Sequence, residues 1–398
     1  MLATPAPVPA EGFGRRGWIQ SPAWDLFWMF SALWGAALIL LGAATQPLMS
    51  VVLLLFALDR LVSVAHAWST SYMVLFSPLL TEERRANPRR FVWIPALIVI
   101  FSFALGIVVS ATQRYPASGQ PSADQWLFAL YIGLFWVGHF WHFGNQDFGV
   151  LNIYRTRAEQ TRPIDRRVDK WFTVSMMYAI QPVVYLSVVS STAFSEFSAA
   201  ALGLNARTLD ELARVGIAAA ILLSLGAAGF ELSKPKRSLP RLLYMLVIFL
   251  HPALLFGAVA ADARHVGLLY IFAYLWSHWL IAIGLVGRIN TRFYESRGES
   301  AATAVVRHGA LLLFISGLVY LATERHQEYL LFNTDGFRYK QLLASITPEE
   351  TLVVGLVLGF FLGEQLLHYY CDRCLFRFRN PGVRKQVAPL LLGDAARS

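Results

Sequence analysis

Ten apolar stretches divide this 398-residue chain, near positions 23–45, 49–77, 91–112, 126–148, 171–192, 211–231, 241–262, 266–287, 308–323 and 350–372. About 20 helical residues, each rising 1.5 Å, cross a hydrocarbon layer roughly 30 Å thick. Lipid offers the backbone no hydrogen-bond partner, so a crossing segment must satisfy its own amides, as a helix does. The pattern predicts an all-α, polytopic transmembrane bundle of about ten spanning helices. The ninth stretch is short and is expected either to thin the bilayer locally or to extend beyond residues 308–323.

Charge supports the same division. Arg and Lys gather between apolar stretches, in TEERRANPRR, YRTRAEQTRPIDRRVDK, SKPKR, RINTRFYESR and, near the end, RFRNPGVRK. These are every second connection, and the intervening ones are poor in Lys and Arg for their length apart from the very short 263–265. Basic loops resist translocation, so both termini are expected in the cytoplasm. Residues 1–20 then read as an N-terminal tail, 21–378 as the membrane domain and 379–398 as a C-terminal tail. A short interfacial helix is expected within 330–346. The localisation expected is a multi-pass protein of a bacterial-type inner or plasma membrane.

Composition excludes other classes. Residues of the AVILMFWYC set make up 56% of the chain and charged residues 15%, too few to cover a soluble fold, where roughly 25% is usual. An aromatic content of 14% contradicts disorder. The net charge of +9 is spread over loops and forms no basic domain, so no nucleic-acid partner is expected. Two cysteines exclude a disulfide scaffold. Cys371 and Cys374 form a C-x-x-C pair at a helix end, where they are expected to stay reduced, and no second pair completes a thiolate zinc site.

An ionisable group at bilayer depth costs about 2.5–3.5 kcal/mol on insertion scales, so the few present here are informative. Asp59, Ser63, His66 and Thr70 form one helical stripe. His139, His142 and Gln146 share a face, with Asn145 and Asp147 nearby, and Glu364, His368 and Asp372 stand at successive i, i+4 positions. His251 and His278 lie in two further stretches. In the ten-helix topology up to six imidazoles fall between mid-membrane and the cytoplasmic edge. Histidines and carboxylates converging within a helical bundle are what an iron, manganese or zinc site requires. Tyr270, Tyr274, Trp276, Trp136 and Trp141 are candidates for lining a lipophilic tunnel.

Around these histidines the chain resembles a known family. His142-Phe143-Gly144-Asn145-Gln146-Asp147-Phe148 is similar to the HFG-x-x-D-F signature of the bacterial membrane carotenoid dioxygenases of Brp/Blh type. His368-Tyr-Tyr-Cys-Asp372, followed by Leu375-Phe376-Arg377, resembles that family's last helix, and Tyr274-Leu-Trp-Ser-His278 resembles its aromatic-rich, histidine-bearing helix. Those proteins cleave β-carotene to retinal on iron held by intramembrane histidines. The resemblance implies His142, His278 and His368 as iron ligands, and a metal-dependent membrane oxygenase more than β-carotene as substrate.

The combined expectation is a non-haem oxygenase in which His66, His142, His278 and His368 hold the metal, with His139 or His251 completing the shell. His142 and His368 are the candidate catalytic residues, and Asp147, Glu364 and Asp372 are metal ligands or orient the imidazoles. Ferrous iron is the expected cofactor, with zinc, manganese or haem as alternatives. The expected partners are O2, membrane lipids and a lipophilic substrate such as a carotenoid, isoprenoid or lipid. A haem-bearing or quinone-reactive electron-transfer subunit and a cation- or proton-coupled transporter are the competing readings.

Overall fold

The computed structural model describes residues 17–45, 48–112, 123–160, 162–189, 206–300, scattered positions from 302 to 314, and 348–393 apart from 377 and 379; over 48–61 it describes the backbone alone. The side chain of Asp59, most of the stretch 308–323 and the helix expected within 330–346 therefore lie outside the described residues.

Every described element is helical. In chain order they are α1 (Pro22–Trp28), α2 (Ser31–Thr45), α3 (Leu48–Leu75), α4 (Thr81–Ala86), α5 (Ile94–Thr112), α6 (Ala123–Arg157), α7 (Pro163–Val174), α8 (Gln181–Val189), α9 (Ala206–Leu232), α10 (Leu239–Ala260), α11 (Arg264–Glu295), α12 (Pro348–Leu375) and α13 (Pro381–Leu392). Short π-helical turns, Arg89–Trp93 and Ser175–Ile180, join α5 to its preceding segment and α7 to α8. Among the described residues six helices are long and apolar enough to cross a membrane, or seven if the bent pair α1–α2, broken by 56°, counts as one crossing. That is consistent with a multi-pass helical membrane protein; ten crossings with both ends in the cytoplasm stay an expectation of the sequence. The long helix α6 carries His139, His142, Asn145, Gln146 and Asp147 within about two and a half turns.

Burial is arranged for lipid. The outward faces are apolar, with Leu97, Ile100 and Phe101 of α5 and Val215, Leu222 and Leu225 of α9 all exposed. Asp25, Asp147, Asp165, Asp169, Glu231 and Arg241 are buried instead. A water-soluble protein would reverse that distribution.

Two packing devices position the rest. Helices α5 and α12 cross with their backbones in contact at Gly106, Gly355 and Gly359; a methyl group at Gly106 would overlap the Gly355 carbonyl oxygen, and one at Gly359 would overlap the Cα of Phe103. Small residues permit such an approach between membrane helices. The contact holds α12 in place two and a half turns before His368. At one end of the bundle, Asp25 accepts hydrogen bonds from the Ile19 and Gln20 amides (2.9 and 3.1 Å) and from the Tyr154 hydroxyl (3.0 Å). Gly17, at φ +94°, packs where a side chain would press on Ser238. Helix α13, which the charge pattern places within a C-terminal tail, packs against the same end and buries Val383, Val387 and Leu391. Asn380 caps it through the Gly382 amide, 3.0 Å away.

A charge network also forms there. Arg241 pairs with both Asp169 and Glu231, and Lys234 reaches Glu231 at 2.8 Å and Asp165 at 3.0 Å. Arg155 adds a contact to Asp169 at 3.6 Å. The network ties α6, α7, α9 and α10 together.

Candidate metal centre

Four helices each supply one imidazole to a common point: His66 from α3, His142 from α6, His278 from α11 and His368 from α12. One ligand nitrogen from each lies within 4.8 Å of the others, and all four side chains are buried. Among the described residues this is the group of His, Cys, Asp and Glu side chains placed to share an ion. The rings meet edge to face. His66 lies 4.0 Å from His368 and 5.0 Å from His278 between ring centroids, and His142 lies 4.8 Å from both His278 and His368.

The unsatisfied atoms argue that the arrangement is built for a cation. The Nε2 atoms of His142 and His368 face each other at 3.1 Å. Neither ring nitrogen of His66 has a hydrogen-bond partner, nor does Nδ1 of His368. Burying an imidazole nitrogen without a partner is unfavourable, and several together at one point are rare unless something binds them. Four neutral nitrogen donors suit a first-row transition metal and do not suit Mg²⁺ or Ca²⁺, which take oxygen ligands.

The expected carboxylates divide. Asp372 stands at the site, with Oδ2 3.4 Å from His142 Nε2 and Oδ1 3.7 Å from His368 Nδ1. These distances exceed a formed hydrogen bond and place the carboxylate where a small ring rotation would let it accept the His368 Nδ1–H. Glu364, one helical turn before His368 and only partly buried, lies outside the four-residue group. Asp147 lies five residues beyond His142, about 140° around the helix at 3.6 residues per turn. It therefore faces α10 and accepts a hydrogen bond from the Tyr244 hydroxyl at 2.7 Å. Gln146, on the His142 face, turns to the site instead and donates from Nε2 to the His278 carbonyl at 2.8 Å.

His139 shares the His142 face but sits about 4.5 Å further along the axis, and it too is outside the group. Its Nδ1 meets the Tyr369 hydroxyl at 3.2 Å, and Tyr369 in turn stacks on His142 at 4.4 Å. His139 thus braces a residue that backs one of the four histidines. Similarly, Phe143 stacks on His278 at 3.6 Å and 20° between planes. Sequence reasoning assigned no role to Phe143 or Tyr369; adjacency to a histidine in the chain was the available signal. His251 lies apart and pairs through Nδ1 with the Tyr270 hydroxyl at 3.0 Å. Cys371 and Cys374 are free and buried.

Asp372 provides a direct test. Asp372→Asn keeps the shape but removes the charge that favours metal-bound imidazole, and outer carboxylates of this kind contribute about 10–100-fold to metal affinity. Competition against a chromogenic chelator is expected to show a loss in that range, with the thermal melt of the metal-free protein unchanged.

Comparisons with protein-family models, with characterised proteins and with solved structures find no match.

Proposed function

We propose that this protein is a membrane-embedded, metal-dependent oxygenase acting on a lipophilic substrate, with ferrous iron held by His66, His142, His278 and His368. The observation that carries the reading is the convergence of four buried imidazoles within 4.8 Å inside a lipid-facing bundle. The all-nitrogen donor set suits zinc, copper, nickel and iron alike, and iron is favoured among them by the family resemblance of the segments bearing His142, His278 and His368. When bound, a ferrous ion supplies a coordination site at which O2 is activated.

The chain's own residues would do the remainder. Four imidazoles from four helices would hold the ion in a nitrogen cage, and the Asp372 carboxylate, 3.7 Å from the outward Nδ1 of His368, would accept its N–H after a small ring rotation. Phe143 and Tyr369 pack flat on His278 and His142 and keep those rings from turning. The buried aromatic surround excludes water, which protects reactive species and admits an apolar substrate from the bilayer. A haem fits this geometry poorly. Two imidazoles gripping a macrocycle need a flat gap between them, and here the third and fourth histidines fill that space.

The test uses purified protein loaded anaerobically with Fe²⁺ and exposed to ¹⁸O2 with a carotenoid, an isoprenoid and an unsaturated phospholipid in turn. Incorporation of ¹⁸O into the product of one of them, lost in the metal-free protein, is expected. A Soret band in the purified protein, or no incorporation with any of the three, contradicts the reading.

A further inference from the structure

Beside the metal centre lies a second polar cluster that the proposed chemistry does not use. Tyr270, Tyr274 and His278 recur every fourth residue on α11 and so share one face, with Tyr274 about 6 Å along the axis from the metal-site histidine. His251 of α10 fits against this stripe, its ring 4.3 Å from that of Tyr274 and its Nδ1 held by the Tyr270 hydroxyl at 3.0 Å. Phe143 stands between cluster and centre, 5.0 Å from the Tyr274 ring and 3.6 Å from the His278 ring.

Two features of the cluster are incomplete. The Tyr274 side chain is only 4% exposed, yet its hydroxyl has no hydrogen-bond partner. Pro252 follows His251 within α10 and has no N–H to donate to the Ile248 carbonyl, which relaxes the helix where His251 meets Tyr274. A buried phenol is normally satisfied, because leaving its O–H unmade is costly in a medium without water. This one belongs to a ring that packs against His251 and Phe143, one turn along α11 from the metal-site histidine.

We infer that Tyr274, with His251 and Tyr270 behind it, is a recognition subsite for an oxygen function, a hydroxyl or carbonyl, on the lipophilic substrate. The inference rests on the metal-oxygenase reading and narrows its substrate class to oxygen-bearing lipophiles. The Tyr274 hydroxyl donates to the substrate oxygen, one helical turn from His278. The oxygen function thereby sets which part of the chain reaches the metal. A site built to hydrogen-bond an oxygen discriminates against the parent hydrocarbon, since binding that molecule leaves the phenol unmatched.

The experiment measures equilibrium binding of geranylgeraniol and of the matched isoprenoid hydrocarbon to metal-loaded protein in nanodiscs, for wild type and Tyr274→Phe. Wild type is expected to bind the alcohol about tenfold more tightly, the usual effect of one net hydrogen bond in a buried site. Tyr274→Phe is expected to equalise the two probes by weakening the alcohol alone, with metal content and thermal melt unchanged. Equal affinities in wild type, a preference that survives in Tyr274→Phe, or failure to bind the alcohol would overturn the inference. Metal content measured on the same samples separates the two claims: full metal without the preference removes the subsite alone, and absent metal removes the oxygenase reading.

Discussion

His142→Ala should purify with less than about a hundredth of the wild-type metal after brief chelator treatment. Removing the ring leaves three imidazoles and a void against Tyr369, which stacks on it in the wild type. Outer partners alone contribute about 10–100-fold to affinity, so losing a direct ligand costs at least as much as the upper end. His139→Ala offers the contrasting case. That residue touches Tyr369 rather than the four-nitrogen group, so metal content should stay near wild type while binding becomes less tight. Elemental analysis of both variants, normalised to protein, separates a ligand from a brace. Equal retention by His142→Ala and wild type would remove His142 from the ligand set.

Arg241→Ala should destabilise the protein by about 3–5 kcal/mol, the cost seen when one partner of a buried ion pair is removed. Arg241 is completely buried and neutralises Asp169 and Glu231 together. Without it, two carboxylates remain in a low-dielectric setting with Arg155 and Lys234 as the nearby cations. Adding Glu231→Gln to Arg241→Ala removes one uncompensated charge and should recover part of the loss. Unfolding in mixed detergent micelles, followed by circular dichroism, measures both. If the double variant is less stable than the single by the full cost of Glu231→Gln alone, the two residues are not coupled and the network acts otherwise.

The histidine centre was legible because membrane burial makes each polar residue conspicuous. His66, His142, His278 and His368 were expected as ligands because each is an imidazole within an apolar stretch, and the four come together. What periodicity could not settle was which of two neighbours on a helix points inward. His139 and His142 differ by one short turn, and Asp147 and Gln146 by a single residue, so rotation of α6 about its axis decided between them. That rotation is set by contacts with α10 and α12, such as Tyr244 on Asp147, which are remote in sequence. The Arg241 network escaped notice because Arg241 and Glu231 sit at the ends of apolar stretches, where charges ordinarily meet solvent or headgroups. Helix α13 was hidden for a related reason: Val383, Val387 and Leu391 form a stripe too short to cross a membrane, and its partner surface belongs to helices far away in the chain.

X-ray absorption at the metal edge of the purified, iron-loaded protein tests the central claim most directly. Four imidazoles around one ion predict a first shell dominated by nitrogen near about 2.0–2.2 Å, with the outer-shell scattering of imidazole rings. In His142→Ala the imidazole contribution should fall by about a quarter or vanish with the metal. A shell of oxygen or sulfur donors, or a spectrum that His142→Ala leaves unchanged, would contradict it.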